Sequence, residues 1–320
     1  MKINPIIIVS GEPKSIFFEI LFKTLKLKRI KSPIILVASY KILKLEMKRL
    51  NFKRKVNFIK VDDIKNYKFD NKNLNLIDVN YDYNLINLNP KKNSIYIKEC
   101  FKIAFKILES GVSKKFLNGP INKSNFLKKK YPGITEYISE KFKVKKFAML
   151  IYNKEISVCP ITTHLPIRIV SKMINQKLIK EKVELINDFF IEKIGYEPKI
   201  AVTGLNPHCE SILPNNEDNK IISPAIKSLK KKGYNIEGPY PADTIFLKQN
   251  RENYDVVIGM YHDQVLAPIK TLKEYDAINI TLGLPFYRIS PDHGPNKKMI
   301  KKNASNPLSL LRALEFLDKK

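Results

Sequence analysis

The feature that most limits the fold is a set of short runs with little or no polar character, spaced between longer amphipathic segments. Ile-Ile-Ile-Val at 6–9 and Ile-Ile-Leu-Val-Ala at 34–38 offer no face to water. A strand with one solvated face alternates in polarity; a strand covered by helices on both sides does not. Further strands are expected at Lys115–Asn118, Phe147–Tyr152, Ile156–Thr162, Ile200–Gly204, Val256–Met260 and Ala277–Thr281. Apolar residues recur at three- and four-residue spacings over Ser15–Leu27, Ile42–Leu50, Ser94–Glu109, Ile134–Lys141, Ile167–Lys193, Ile221–Lys232 and Pro307–Asp318. That spacing predicts helices, and Ile167–Lys193 is long enough to be two. The alternation predicts an α/β fold. The Asn-rich stretch at 60–92 is expected to be irregular or to form an edge.

Composition excludes several classes. No run approaches the roughly 18 apolar residues that cross a bilayer. The start, MKINPIIIVSGEP, reads as a first strand and not as a signal peptide. A cytoplasmic protein with no membrane partner is therefore expected. The three cysteines, Cys100, Cys159 and Cys209, stand at unrelated spacings and are expected to be free thiols. The net charge of +27 raises the question of nucleic acid, yet only seven of the 58 basic residues are Arg. Lys, Asn and Ile are enriched together, as a bias toward AT-rich codons would produce, and groove readers lean on Arg. No nucleic-acid partner is expected, although a basic field would draw in phosphates.

Turn-rich words fall at the ends of the expected strands, where open α/β sheets bind their ligands. The chain has four histidines, and His164, His208 and His262 each come after an expected strand. Imidazole suits zinc, cobalt, nickel or iron, and three ring nitrogens with open positions describe a catalytic metal centre. The separations, 44 and 54 residues, carry no local signature. On spacing alone, a hydrogen-bonded structural role for each ring stays open.

The words around these histidines carry a resemblance. TTHLP (162–166), GLNPH (204–208), GPYPADTIF (238–246), MYHDQ (260–264), INITLGLPFYR (278–288) and DHG (292–294) occur in this order, with GEP at 11–13 and NGPINK at 118–123. Together they span nearly the whole chain, which resembles the 4-hydroxythreonine-4-phosphate dehydrogenase family of pyridoxal phosphate biosynthesis. The resemblance implies a two-domain fold like the isocitrate and isopropylmalate dehydrogenases. One domain would comprise 1–125 with 283–320, and the other 126–282, carrying the metal ligands and dimer interface. It further implies a homodimer with its active site in the interdomain cleft at the dimer interface. A secondary alcohol on a small phosphorylated substrate would be oxidised by NAD, and the resulting β-keto acid would lose carbon dioxide to give 3-amino-2-oxopropyl phosphate. The implied ligands of a divalent metal (zinc, magnesium or cobalt) are His164, His208 and His262. The implied substrate-binding positions are Thr135, Lys270, Asn279 and Arg288.

These assignments are chemically coherent. A divalent ion lowers the pKa of a chelated hydroxyl before hydride leaves and accepts the charge that develops on decarboxylation. A guanidinium (Arg288), an ammonium (Lys270) and an amide (Asn279) suit the oxygens of a phosphate monoester. Lys270 and Asp243 are the candidates for catalytic work. Asp243 and Asp263 could orient a ligand or relay a proton, and a plain turn role after Pro241 stays open for Asp243. The general base is unassigned. No GxGxxG is present, so a Rossmann site is excluded. By analogy with related decarboxylating dehydrogenases, NAD would meet the turn holding Asp292, His293 and Gly294.

Three segments depart from the family pattern. The first strand–helix turn reads GEPKSIFFEI where the family usually has GEPxGIGPE, which adds bulk at Phe17 and Phe18 near the expected cleft and removes backbone freedom. Ile134 stands where the family has a substrate-contacting His. The segment after GLNPH reads CESILPNNED up to Asp218. Losing a donor changes which substrate groups can be satisfied, so another four-carbon phosphorylated acid, such as 4-phosphothreonate, is the alternative substrate.

Overall fold

The structure is a computed structural model of the chain and describes residues 4–81, 89–122, 126–127, 130–210, 215–291 and 294–319. It divides into two compact units, one comprising Met1–Ile134 with Pro285–Lys320 and the other Thr135–Leu284.

In the first unit, strands numbered along the chain are β1 (Ile6–Val9), β2 (Ile34–Ala38), β3 (Val56–Phe58), β4 (Leu74–Asp78), β5 (Lys115–Asn118) and β12 (Tyr287–Pro291). They lie in the order β3-β4-β2-β1-β5-β12, and each of these pairings is parallel. The four side chains of β1 are wholly buried, as expected of a central strand covered on both faces. Each stabilises the unit by about 1.5–3 kcal/mol relative to exposure. Helix α3 (Pro90–Glu109) packs on β1 and β2. Its start is set by Asn89, whose side chain accepts from Lys91 N at 2.9 Å, with Pro90 at the first helical position. Helix α1 (Phe17–Leu27) packs against α2 (Tyr40–Arg49) and α10 (Leu308–Asp318), and α10 against β12.

One sequence expectation changes here. The stretch at 60–92 contains β4, an interior strand between β2 and β3. Asn75 is wholly buried in it, and its Nδ2 donates to Ile34 O at 3.0 Å and Asp70 O at 2.9 Å. Those two bonds offset part of the cost of burying the amide, so a polar letter hides an interior strand from a hydropathy reading. Phe17 and Phe18 are absorbed by the unit's interior, at 1% and 5% exposure. Phe17 meets Phe18 edge-on, Phe18 meets Phe22, and Phe22 stacks on Phe52 at 4.2 Å.

In the second unit, β6 (Ala148–Tyr152), β7 (Ser157–Thr162), β8 (Ile200–Thr203), β9 (Ile236–Tyr240), β10 (Val256–Tyr261) and β11 (Ile278–Leu282) lie in the order β11-β6-β7-β10-β8-β9. Strand β6 runs antiparallel to β11 and β7; the others pair in parallel. Helix α4 (Ile134–Lys141) opens the unit. The long helical segment breaks into α5 (Ile167–Met173) and α6 (Gln176–Phe189), because Asn175 caps the second piece through Leu178 N at 2.9 Å. Helix α7 (Ser223–Lys231) packs on β9, and a single turn, α8 (Lys248–Arg251), comes next. Helix α9 (His262–Lys273) continues directly from β10 and packs on β7 and β10. It was not among the expected helices: Pro268 in its interior masks the helical pattern. Among the described residues no helix is long and apolar enough to cross a membrane.

Candidate active site

Strands β7 and β10 pair in parallel with Thr162 opposite Tyr261, so their carboxyl ends are neighbours. Thr162 Oγ1 donates to Met260 O at 2.8 Å and locks the two ends together. A histidine stands just beyond each end. His164 and His262 are therefore side by side, ring centroids 5.7 Å apart and planes tilted by 39°.

Each ring turns Nδ1 toward a carboxylate. His262 Nδ1 lies 2.6 Å from Asp263 Oδ1, and His164 Nδ1 lies 3.6 Å from Glu136 Oε1, an ion-pair distance longer than a hydrogen bond. Nε2 is then the nitrogen that each ring would offer a metal. Glu136 sits in the first turn of α4 and accepts from Thr163 Oγ1 at 2.8 Å. Burial pushes its carboxyl up. Its interactions with His164, with its own backbone N–H and with Thr163 outweigh that effect and hold the carboxyl at about 2.

The third histidine lies on a separate turn. Strand β8 leads into Gly204, where a Cβ would stand 2.7 Å from Asp218 Oδ1 and 2.8 Å from Cys209 Sγ. Asp218 is wholly buried and accepts from Leu205 N at 2.7 Å, Asn206 N at 3.1 Å and Asn206 Nδ2 at 2.7 Å. That clamp sets the turn in which His208 (φ 56°) and Cys209 (φ 60°) are left-handed, with His208 exposed. Gln264 ties this loop to β10: its Oε1 accepts from Met260 N at 2.6 Å and Thr203 Oγ1 at 2.9 Å, and its Nε2 donates to Gly204 O at 2.8 Å. Among the described residues no three His, Cys, Asp or Glu are grouped to hold a metal. Of the expected trio, His164 and His262 come together in the single chain, and His208 stands on the separate turn after β8. The donor chemistry of the pair, two adjacent imidazoles each facing a carboxylate, fits a divalent cation.

Of the expected substrate positions, Thr135 is buried in the first turn of α4, its Oγ1 3.5 Å from Thr281 Oγ1 on β11. Asn279, two residues before Thr281, faces the same side of that strand. The Asn279 Oδ1 atom is buried and has no hydrogen-bond partner among the described residues, an acceptor suited to a ligand donor. Ile134 is buried and supplies packing only. Lys270 lies on α9 two turns beyond His262, about 12 Å further along the axis. Asp243 is exposed in a turn closed by Thr244 N and Ile245 N on Pro241 O, at 3.3 and 3.1 Å.

In the first unit, Arg288 on β12 is 3% exposed, and its Nε donates to Asn118 Oδ1 at the end of β5 at 3.0 Å. Asp292 and His293 lie outside the described residues. Beside Gly294, Pro295 O accepts from Ile16 N at 3.4 Å, which ties this turn to the loop of Lys14 and Ser15. Sequence reasoning missed Glu136, Asp218, Gln264 and Thr281. Gln264 and Thr281 stand inside words singled out for their neighbours, and Glu136 follows the expected substrate position Thr135. Asp218 has no local signal, because its importance lies in the backbone it holds.

The family described as pyridoxal phosphate biosynthetic protein PdxA matches residues 29–317. A 4-hydroxythreonine-4-phosphate dehydrogenase from a Sulfurihydrogenibium species is 35% identical over 316 residues, 97% of this chain and 96% of its own. A D-threonate 4-phosphate dehydrogenase from Pectobacterium atrosepticum is 34% identical over 221 residues, 68% of each chain. The crystal structure of 4-hydroxythreonine-4-phosphate dehydrogenase from Klebsiella pneumoniae is similar with a TM-score of 0.80, at 28% identity over 98% of both chains. Isocitrate dehydrogenase from Methylococcus capsulatus shares the fold alone, with a TM-score of 0.51 and 9% identity over 97% of this chain and 84% of its own.

Proposed function

The chain belongs to the PdxA family of pyridoxal phosphate biosynthetic proteins, and from that premise we propose that it oxidises 4-phosphohydroxy-L-threonine with NAD. Loss of carbon dioxide from the β-keto acid then gives 3-amino-2-oxopropyl phosphate. The observation that carries the reading is the pair of imidazoles at the adjoining ends of β7 and β10. His164 and His262, with His208 as a third ligand, would hold a divalent metal such as zinc, magnesium or cobalt. Bound there, such an ion lowers the pKa of the substrate hydroxyl and polarises the ketone that replaces it.

The protein's own groups do the rest. Arg288 brings a fixed guanidinium to the phosphate oxygens, and Lys270 a mobile ammonium. Asn279 presents its buried carbonyl oxygen to a substrate donor, and Thr135 a hydroxyl on the same side of β11. Asp243 remains the candidate for proton relay, its exposure suiting exchange with water. Asp292, His293 and Gly294 are the proposed NAD contacts. A homodimer is part of the reading, with exposed Ile167, Met173, Leu247, Leu272 and Tyr275 on the second unit available to a partner. Cytoplasmic location and the absence of a nucleic-acid partner complete the reading.

A second reading, oxidation of 4-phosphothreonate, is favoured by Ile134 and by the name of the Pectobacterium relative. NADH formation from each phosphorylated acid decides between them. Preference for phosphohydroxythreonine is expected; preference for phosphothreonate selects the second reading, and no turnover of either contradicts both.

A further inference from the structure

We infer that Glu136 is a positioning residue that fixes the imidazole of His164, holding Nδ1–H toward its carboxylate so that Nε2 faces a metal. The inference rests on the reading of His164 as a ligand. Its warrant is local geometry. One oxygen, Oε1, meets two consecutive residues after β7: Thr163 Oγ1 at 2.8 Å and His164 Nδ1 at 3.6 Å. The Thr163 bond holds that oxygen at the loop that carries His164.

The carboxylate is also in a costly place. Its side chain is 17% exposed, and Oε2 is buried with no hydrogen-bond partner among the described residues. A carboxylate withdrawn from water needs compensating donors, and the imidazole of His164 faces it beside the Thr163 hydroxyl. The other ring differs. Asp263, which meets His262, is 83% exposed and adjacent in sequence, so it is held far less firmly. Glu136 also couples two functions, because the preceding residue, Thr135, reaches Thr281 beneath the proposed substrate position. One helical turn therefore places a substrate contact and a ligand's support together.

The competing role is plain helix stabilisation, since an acidic residue in a first turn complements the helix dipole. Glu136→Gln separates the two, because it keeps size and the Thr163 contact while removing charge. In the metal-free full-length protein, nitrogen NMR of His164 is expected to show the Nδ1–H tautomer, and a mixture of tautomers in the variant. Cobalt or zinc affinity, measured by calorimetry without substrate or NAD, is expected to fall about 10- to 100-fold. An unchanged tautomer and affinity, whether or not the melting temperature drops, overturns the inference. Should Glu136→Gln fail to fold, Glu136→Asp withdraws the carboxylate while keeping its charge, and unchanged values there are equally fatal. If the wild type itself binds no divalent ion, the proposed function fails, while the tautomer comparison still decides the role of Glu136.

Discussion

Arg288 is gripped from the neighbouring strand by Asn118, with Nε donating to Oδ1 at 3.0 Å. It is one of only seven arginines in the chain and is 3% exposed. A guanidinium fixed in this way keeps its remaining N–H groups in a set direction, which a flexible ammonium would not. The sequence marks this residue by its scarcity and its word, GLPFYR; the partner that orients it is 170 positions away.

Replacing Arg288 with Met leaves Asn118 without that donor and removes the proposed phosphate cation. Stability measured by urea unfolding is expected to fall by about 1–3 kcal/mol. The KM for the phosphorylated substrate is expected to rise at least about tenfold, equivalent to about 1.4 kcal/mol of lost binding. Unchanged KM would remove Arg288 from the substrate site.

Asp218→Ala strips one acceptor group from three N–H donors on Leu205 and Asn206. The expected loss of stability is about 1–3 kcal/mol, because three hydrogen bonds to a wholly buried carboxylate are lost together. The left-handed turn at His208 should loosen with it, visible as faster amide exchange across 204–209. A change under about 0.5 kcal/mol, the range of ordinary surface substitutions, would contradict the clamp.

Gly119→Ala tests the interlock of the GEP and NGP words. A Cβ at Gly119 would run into the Ser10 carbonyl and stand 2.7 Å from the Phe17 ring. Overpacking of this kind costs about 1–3 kcal/mol. The same variant in a relative with a small residue at position 17 should be milder, because the ring clash is absent; equal losses would assign the cost to the Ser10 backbone alone.

Thiol reactivity is governed by burial. Burial pushes the Cys100 and Cys159 thiols up to about 12, and pushes the half-buried Cys209 up less far. Thiolate is the reactive form, so at pH 8 a thiol near 12 is ionised only about one part in ten thousand. A disulfide exchange reagent is expected to modify Cys209 first in the native protein and all three cysteines in denaturant. Rapid labelling of Cys100 or Cys159 under native conditions would contradict the packing of α3 and β7.

Strands whose burial is written in apolar letters were legible, as at Ile6–Val9 and Ile34–Ala38. Leu74–Asp78 was not, because Asn75 is buried behind hydrogen bonds that no hydropathy pattern records. Helix His262–Lys273 was hidden by Pro268. In the site, His164 and His262 could be named from their words, and parallel pairing of two strands explains why they meet. Their carboxylate partners differ in kind: Asp263 is adjacent in sequence, whereas Glu136 is 28 positions from His164 and is brought there only by the fold. The third imidazole, His208, is named by GLNPH, but the residue that sets its turn, Asp218, is marked by no local word.

The central claim is that a divalent cation on these imidazoles assists the oxidation. NADH formation from 4-phosphohydroxy-L-threonine should be measured on protein as purified, after exhaustive chelation, and after return of zinc, cobalt or magnesium. The account predicts that chelation abolishes turnover and that at least one of these ions restores it in the wild type but not in His262→Ala. Full NADH production by the chelated protein would contradict it.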